Sequence, residues 1–349
     1  MLIKPAYLGL RELAIRTWVR PGPLPPIPKR IDRLLIIPDK RLGDLCLTMP
    51  ALQCLREAFT ETKMTIILPP SLQPLAQWGC RPDTLVDWNA AATLAAKSWD
   101  MVIDLSTDYH LRSALLTRRT AAPVRMGFAI YGKSRFFNLP LATSPSDHMK
   151  ETYARFLRPL GIPSRQFHVP SALAAKPLQG SSGIRVTIHP GAHHWTQRWP
   201  ADHFAALIRL IHGGGERCLV VGSEGERELV AEIVRLAGPG AESAISKDVL
   251  QLAATFMASE VVICNNSGPL HLASMLGIAT LSTMGPTVKE RWAPLGDNDV
   301  ILRKDALPCI GCNRGSCRIR THACMKEILP EAAFAAYLRL RMAFRDELD

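Results

Sequence analysis

Long apolar segments are missing from this 349-residue sequence. No uninterrupted apolar run approaches the roughly 20 residues that a membrane-spanning helix needs, which disfavours a transmembrane protein. Charged side chains at Arg11, Glu12, Arg16 and Arg20 interrupt every candidate apolar core of a secretory signal. We therefore expect a cytoplasmic protein.

Several nucleotide-binding and nucleic-acid-binding signatures are also missing. The P-loop pattern is absent, and so is the glycine-rich dinucleotide fingerprint at residues 189–192 and 265–271, which disfavours a standard dinucleotide fold. Aromatic residues make up only 6% of the chain, and no recognised nucleic-acid module is found. We therefore predict no nucleic-acid partner.

Positive charge is concentrated in two segments, whereas the whole chain has a net charge of +11. Residues 1–30 hold six Lys or Arg against the single acid Glu12, and residues 303–326 hold six against Asp305. Local positive charge of this kind favours anionic partners, such as a membrane surface or a phosphorylated glycolipid. A solubilising basic face is the alternative.

The N-terminal segment, residues 1–30, predicts a basic helix followed by a stiff Pro-rich linker. The helix, at residues 5–20, places apolar side chains on one stripe at Tyr7, Leu10, Ala14 and Trp18. An aromatic-bearing basic helix of this type lies in a membrane interface or docks on the body of the same protein. The first case would place the protein peripherally on the inner face of the cytoplasmic membrane.

From residue 31 onward, short apolar runs alternate with helix-like segments. Runs that predict strands lie at residues 33–38, 65–68, 101–105, 185–189, 218–221, 261–265 and 280–284. Segments that predict helices lie at residues 44–58, 201–212, 224–236, 269–276 and 331–345. Such alternation is typical of parallel sheets covered on both faces, and the polar stretch 170–183 separates two blocks of it. We therefore predict an α/β protein built from two Rossmann-like domains.

An aspartate follows the first predicted strand. In Arg41-Leu42-Gly43-Asp44, Gly43 permits a tight turn, and Asp44 begins a helix at the carboxyl edge of the sheet. A carboxylate there can act as a general base, and a plain helix N-cap is the alternative. The helix dipole is expected to lower the pKa of Asp44, which disfavours a base.

Three small-residue loops follow strands of the second block. They are His189-Pro190-Gly191-Ala192, then Asn265-Asn266-Ser267-Gly268-Pro269-Leu270-His271, then Met284-Gly285-Pro286-Thr287. Backbone N–H groups at such loops and at a helix start bind anions, and Arg198 can add a charged contact. The loops predict a bound nucleotide diphosphate, with His271 either donating to a phosphate or buried as an interior histidine.

The nine cysteines fall into two groups. Five are scattered in apolar contexts and predict buried, reduced thiols: Cys46, Cys54, Cys80, Cys218 and Cys264. Four are clustered and can surround one structural Zn or Fe ion: Cys309, Cys312, Cys317 and Cys324. Reduced thiols are the equal alternative for the cluster, and a disulfide is disfavoured in a reducing cytosol.

Together these motifs make the chain resemble glycosyltransferase family 9, the ADP-heptose:lipopolysaccharide heptosyltransferases. The resemblance runs from about residue 33 to residue 330. The motifs that carry it are Leu42-Gly43-Asp44, Leu47-Thr48-Met49-Pro50-Ala51-Leu52, Asp104, Leu111-Arg112-Ser113, Arg125-Met126-Gly127-Phe128, His189-Pro190-Gly191-Ala192, Arg198-Trp199-Pro200, Asn266-Ser267-Gly268-Pro269-Leu270-His271 and Gly285-Pro286-Thr287. Their common order over some 300 residues makes the match specific.

The resemblance implies a GT-B fold, in which two Rossmann-like domains with parallel sheets face each other across a cleft. An acceptor-binding domain at 31–170 would follow the N-terminal segment 1–30, and a nucleotide-sugar-binding domain would occupy 183–330. A C-terminal helix at 331–349 would return to the N-terminal domain.

The reaction that the resemblance implies is an inverting displacement. Asp44 would take a proton from the acceptor hydroxyl, which attacks the anomeric carbon of an ADP-sugar without a catalytic metal. The acceptor would be an anionic lipopolysaccharide core, bound in part by Arg41, Arg112 and Arg125. The implied donor-binding residues are His189, Pro190, Gly191, Ala192, Gln197, Arg198, Glu226, Asn266, Ser267, Gly268, Pro269, Leu270, His271, Gly285, Pro286 and Thr287.

Two positions depart from the family pattern. The family often carries Lys where this chain has Gln197, and Asp where it has Asn266. These changes remove a cation and an anion near the expected diphosphate. A non-catalytic or differently specific nucleotide-sugar-binding protein is therefore the second hypothesis, which the retained Asp44 opposes.

Overall fold

The chain divides into two compact units, Met1–Pro170 and Ser171–Asp349, in the computed structural model. The structure describes residues 3–20, 22–23, 26–28, 30–170, 185–294, 296 and 298–346. Almost all of the predicted linker at 170–183 lies outside these residues. Within the described part of the chain, no helix is both long enough and apolar enough to cross a membrane.

Unit 1 contains a parallel six-stranded sheet in the order β3-β2-β1-β4-β5-β6. The strands are β1 Arg33–Ile37, β2 Lys63–Ile67, β3 Thr84–Val86, β4 Met101–Asp104, β5 Val124–Phe128 and β6 Leu139–Leu141. The helices are α1 Ile3–Trp18, α2 Leu42–Ala58, α3 Gln73–Cys80, α4 Arg112–Arg119 and α5 Met149–Ala154. The central strands read as continuous apolar runs because helices cover both faces of a parallel sheet.

Unit 2 repeats this topology in the order β12-β11-β10-β7-β8-β9. The strands are β7 Val186–His189, β8 Cys218–Gly222, β9 Ala241–Ile245, β10 Val261–Asn265, β11 Ala279–Thr283 and β12 Asp299–Leu302. The helices are α6 Ala201–Gly213, α7 Arg227–Ala237, α8 Val249–Met257, α9 Gly268–Met275, α10 Lys289–Trp292, α11 Ala323–Lys326 and α12 Pro330–Asp346. The prediction of an α/β protein with two Rossmann-like domains is confirmed.

Each sheet has one point at which the strand order reverses. In unit 1 the chain builds outward from β1, then returns to place β4 on its other side, and unit 2 does the same with β7 and β10. Ligands of open α/β sheets bind at such switch points, outside the carboxyl ends of the strands. The loops after β1, β4, β7 and β10 are therefore the places to search for a site.

Helix α1 docks on unit 1. Ile15 is buried with Ala114, Phe136 and Phe137, and Arg11 donates to the Tyr109 and Tyr131 carbonyls at 2.6 and 2.8 Å. The predicted apolar stripe is wrong at two positions, because Leu10 and Ala14 are exposed while Ile15 enters the core. Docking on the body is thus observed.

Helix α12 completes the core of unit 2. Ala336, Tyr337 and Leu340 pack into the same cluster as the central strands, against α6. Arg341 is 8% exposed and forms ion pairs with Glu216 and Glu260. The predicted return of this helix to the first domain stays a prediction.

Candidate functional site

Asp44 lies at the switch point of unit 1, in the first turn of α2. The helix begins after Arg41, whose backbone is extended and whose carbonyl accepts from the Leu45 N–H at 3.0 Å. Arg41 is therefore the N-cap, and the alternative interpretation of Asp44 as N-cap is wrong. Gly43 is not a tight-turn residue either, since it is the second residue of the helix.

Burial controls the acidity of Asp44, which is only 8% exposed. Loss of hydration, together with the negative charge of Asp39, raises its pKa to about 7. The Tyr153 hydroxyl, which lies 2.7 Å from Asp44 Oδ1, and the charge of Arg41 lower the pKa by less. The expectation that the helix dipole keeps this pKa low is wrong, because desolvation outweighs it. A pKa near 7 suits a general base at neutral pH.

A cavity of about 270 Å³ opens beside Asp39. Arg112 forms part of its wall, with the guanidinium 4.7 Å from the centre of the Trp88 ring and a hydrogen bond of 2.9 Å to the Trp88 carbonyl. The other lining residues are Pro38, Lys40, Ser106, Asp108, His110 and Ser113. Arg112 thus presents a fixed positive charge beside the cavity that Asp39 lines. Its predicted contact with the acceptor stays a prediction.

Arg41 and Arg125, the other two residues predicted to bind the acceptor, do not line this cavity. Arg41 is exposed at the start of α2. Arg125 directs its guanidinium to the backbone carbonyls of Ala122, at 2.5 Å, and Phe136, at 3.4 Å. Arg125 therefore joins the chain before β5 to the chain after it, and the structure does not bring it to this cavity. Its predicted acceptor role stays a prediction.

Lys133 is a buried cation of unit 1. It is fully buried, and its Nζ donates to Ser106 Oγ at 3.0 Å and lies 3.5 Å from Asp108 Oδ1. Ser106 also donates to Asp104 Oδ1 at 2.6 Å, so Lys133 anchors the loop after β4 that forms one wall of the cavity. Nothing in the local sequence distinguishes this lysine from a solvated one.

In unit 2, the loop after β7 passes directly over Glu226. An added Cβ at Gly191 would lie 1.6 Å from Glu226 Oε1, so only glycine fits there without displacing the glutamate. Glu226 Oε2 accepts from the Ser223 N–H at 2.8 Å and the Ser223 hydroxyl at 2.7 Å, and it lies 3.7 Å from His189 Nε2. The structure thus brings together Gly191, Glu226 and His189, three of the residues predicted to bind the sugar donor.

The electrostatics of this cluster keep Glu226 negative. Burial raises the pKa of Glu226, but the combined effect of His189, Ser223 and Arg198 is larger and lowers it. The net shift is downward. His189 is 5% exposed, and burial lowers its pKa despite the neighbouring glutamate. A neutral imidazole beside a charged carboxylate gives a fixed hydrogen-bond acceptor suited to sugar hydroxyl groups.

Asn265, at the end of β10, is the first residue of the second predicted loop and hydrogen-bonds to three segments of unit 2. Its Nδ2 donates to the Pro190 carbonyl at 2.6 Å. Its Oδ1 accepts from the Trp199 N–H at 2.8 Å and the Thr283 hydroxyl at 3.0 Å. Because it is fully buried, each of these bonds is costly to lose.

The start of α9 follows at once. Ser267 occupies the N-cap position, but its side chain makes no capping bond; its hydroxyl donates instead to the Asn265 carbonyl at 3.3 Å. Ser267 is therefore the N-cap by backbone position only. Gly268, Pro269, Leu270 and His271 form the first turn, and His271 is 5% exposed with its ring centre 6.2 Å from that of Trp292.

Asn266 and Gln197, which depart from the family pattern, each form a hydrogen bond within unit 2. Asn266 is buried, and its amide donates to the Trp292 carbonyl at 3.2 Å, a bond that a carboxylate cannot make. Gln197 donates to the Thr287 hydroxyl at 3.0 Å and so links the segment after the β7 loop to the 285–287 loop. Arg198 donates to the Ala192 carbonyl at 3.1 Å. The two amides therefore stabilise loops in place of the charges.

The segment 309–324, which carries four cysteines, contacts the loop at 285–287 and the helical turn Trp195–Gln197. The Gly311 and Asn313 N–H groups donate to the Gly285 and Pro286 carbonyls at 3.2 and 2.6 Å. Thr196 donates to the Arg314 carbonyl at 2.8 Å. The segment therefore supports the loops that sequence motifs assign to the donor.

The four clustered thiols line one cavity of about 340 Å³. Burial and then the charges of Cys312, Cys309 and Cys317 raise the pKa of Cys324 to about 11. Cysteine thiolates are suitable ligands for Zn or Fe. In the described part of the chain, however, no three ligating side chains are arranged to hold an ion. The metal site therefore stays a prediction.

Elemental analysis of the purified protein tests that prediction. A Cys₄ site would give about one Zn or Fe per chain, lost in Cys309→Ser and retained in the control Cys54→Ser, whose thiol is buried in unit 1. A metal-free chain in which the four clustered thiols react freely with a thiol reagent would contradict it.

Residues 88–322 match the family described as "Glycosyltransferase family 9 (heptosyltransferase)". Lipooligosaccharide heptosyltransferase 2 of Campylobacter jejuni is 24% identical over 313 residues, which cover 83% of this chain and 93% of that protein.

Two solved structures share the fold. The Escherichia coli ADP-heptose LPS heptosyltransferase II matches with a TM-score of 0.72 and 17% identity, over 90% of this chain and 99% of that one. The iron-containing dodecameric glycosyltransferase TibC of enterotoxigenic E. coli H10407 matches with a TM-score of 0.61 and 14% identity, over 90% and 77%. With the family match extending over more than half of its residues, the chain belongs to glycosyltransferase family 9.

Proposed function

We propose that this protein is an inverting glycosyltransferase that moves a heptose or related sugar from an ADP-sugar to a lipopolysaccharide core acceptor. The observation that carries the proposal is Asp44, a buried carboxyl at a switch point with a pKa of about 7. Such a group is half ionised at neutral pH, so it can accept the proton of an attacking sugar hydroxyl.

The donor half of the proposal rests on unit 2. The ADP ribose hydroxyls would bind Glu226, and the diphosphate would lie against the first turn of α9 and the 190–192 loop. Backbone N–H groups and the helix dipole there favour negative charge, which grows as the diphosphate leaves. Arg198 lies close enough to Glu226 to lower its pKa and adds positive charge to the same region. In this proposal the leaving group needs no catalytic metal.

The acceptor half rests on the cavity beside Asp39 in unit 1. Lys40, Arg112 and His110 line it, so it offers cationic and hydrogen-bonding groups to the phosphates or carboxylates of an anionic sugar. Trp88 adds an aromatic face of the kind on which sugar rings pack. The acceptor hydroxyl would then approach Asp44 from this side of the β1–α2 loop.

A calorimetric titration followed by a transfer assay tests the function. Selective binding of ADP and ADP-heptose over UDP-sugars, with heptose transfer to a lipopolysaccharide core, is the expected result. Preference for a UDP-sugar would contradict the donor assignment. Selective ADP-heptose binding without transfer to any core acceptor would favour the non-catalytic alternative.

We also propose that α1 attaches the enzyme peripherally to an anionic membrane on the cytoplasmic side. The helix uses Arg11 and Ile15 to dock on unit 1, while Leu10 and Leu13 are 71% and 61% exposed on another face. Exposed leucines one turn apart, on a segment rich in Lys and Arg, match the requirements of an interfacial helix.

Vesicle sedimentation tests this attachment. The double variant Leu10→Ser/Leu13→Ser is expected to lower binding to vesicles containing anionic lipid by at least tenfold, because it removes the apolar contribution. The control is Leu338→Ser, which changes a leucine that is 44% exposed on α12. Equal binding by the double variant and the unmodified protein would contradict the proposal.

A further inference from the structure

One tyrosine joins two buried carboxyl groups of unit 1. The Tyr153 hydroxyl oxygen, on α5, lies 2.7 Å from Asp44 Oδ1 and 2.8 Å from Asp39 Oδ2. A phenol has a single proton, so it can donate to only one of these oxygens. The second short contact is favourable only if a carboxyl carries a proton and donates it to the tyrosine. The three groups therefore share two protons and hold one negative charge.

The remaining hydrogen bonds decide which carboxyl is charged. Asp39 Oδ2 also accepts from the Thr107 N–H at 2.9 Å and from the Thr107 hydroxyl. Several donors on one oxygen favour the ionised form. Among the described residues, Tyr153 is the only group that hydrogen-bonds to the Asp44 carboxyl. The extra proton thus lies on Asp44 Oδ1, which donates to Tyr153, which donates to Asp39.

The charged groups around the hydrogen bonds that join Asp44, Tyr153 and Asp39 have opposing effects on the two carboxyl groups. Burial is the largest influence, and it raises the pKa of both Asp39 and Asp44. Among the charged neighbours, Arg41 at the start of α2 favours ionised Asp44, whereas Asp108 after β4 disfavours ionised Asp39. Lys133 pairs with Asp108 at 3.5 Å and reduces that repulsion. The Tyr153 hydroxyl joins the two carboxyl groups, and the negative charge of Asp39 raises the pKa of Asp44 after burial has done so.

We propose that Asp39 is a positioning residue for the base: through the Tyr153 hydroxyl it orients the Asp44 carboxyl and sets the pH at which Asp44 ionises. When Asp44 releases its proton to water, the Tyr153 O–H turns from Asp39 Oδ2 to Asp44 Oδ1. Asp39 stays ionised on its two Thr107 donors. Asp44 Oδ2 is then the oxygen that receives the proton of the acceptor hydroxyl, and that proton returns to water after the transfer.

This inference rests on the proposed role of Asp44 as the base, and the two can be tested separately. The pH dependence of kcat/KM is expected to show an acidic limb with a midpoint near 7. Asp39→Asn removes the negative charge and should move this midpoint down by about one pH unit or more. Tyr153→Phe removes the donor to ionised Asp44 and should move it up.

The opposite directions separate positioning from general damage to the fold. The control Asp202→Asn, at an exposed residue of α6, should leave the midpoint unchanged. Shifts of both site variants in the same direction, or of neither, would overturn the proposal.

A second measurement does not depend on activity or on Tyr153→Phe folding. Carbon-13 NMR of aspartate carboxyls, with Asp44 assigned by its loss in Asp44→Asn, follows the ionisation of Asp44 directly. Its titration midpoint should fall in Asp39→Asn, and an unchanged midpoint would overturn the coupling. If Asp44→Asn retained full activity while the NMR midpoint still moved, Asp44 would not be the base and the coupling would stand.

Discussion

Replacing Asp44 with asparagine is expected to lower kcat by about 10²–10⁴-fold, the usual contribution of a general base. The amide keeps the shape of the side chain but cannot accept the proton of an attacking hydroxyl. Binding of ADP should change less than twofold, because the loops proposed to bind the donor belong to unit 2. A steady-state transfer assay combined with calorimetry measures both quantities on the same protein.

The same variant is expected to be more stable than the unmodified protein at alkaline pH. The folded-state pKa of Asp44 is raised to about 7 from 3.8, so its carboxylate is disfavoured in the fold. The stability linked to the proton is present below about pH 4 and is lost as the pH rises through 7. At about 1.4 kcal/mol per pKa unit, the stability advantage of the Asp44→Asn variant at pH 9 has an upper bound of about 4 kcal/mol.

Thermal unfolding at pH 5 and pH 9 checks the stability effect, with Asp202→Asn as the control. An inactive variant that is also less stable at pH 9 would indicate a damaged fold, and it would contradict the interpretation of Asp44 as a strained, buried base. Loss of activity together with a gain of stability is typical of a residue kept for catalysis at the expense of the fold.

The second large effect is expected from Gly191→Ala, which should weaken ADP binding by about 10–100-fold. The added Cβ would meet Glu226 Oε1 at 1.6 Å and Cδ at 2.5 Å, so the glutamate must leave its position. A charged hydrogen bond is worth about 1.5–3 kcal/mol, which corresponds to this range in the dissociation constant.

Gly225→Ala provides a matched control for that substitution. It adds the same methyl group one residue from Glu226, where an added Cβ meets no atom within 4 Å. Its ADP affinity should be unchanged. If Gly191→Ala bound ADP as tightly as the control, Glu226 would have no part in donor binding.

Sequence patterns could predict the central strands but not the edges of the sheets. Residues 34–37 and 261–264 are continuous apolar runs because helices cover both faces there. The edge strand β6 contains Pro140 and the edge strand β3 is three residues long, so neither has a recognisable period. β5 was missed because Arg125 and Gly127 interrupt its apolar pattern.

For the site, motifs could predict which loops meet at the switch points, because local glycine and proline patterns mark strand ends. They could not predict pairs that are distant in sequence, such as Tyr153 with Asp44, since only the packed fold brings these together. The acidity of Asp44 was misjudged for a related reason. The helix dipole can be inferred from sequence, whereas burial and the neighbouring Asp39 charge depend on tertiary structure.

The segment 309–324 contains a position for a reporter group next to a loop proposed to bind the donor. All nine cysteines lie in the described part of the chain, and Cys312 is the exposed one among them. Its neighbours Gly311 and Asn313 hydrogen-bond to the loop at 285–287. A fluorophore attached to Cys312 with limiting reagent would thus report nucleotide loading as an optical signal in real time, without a radiolabelled sugar.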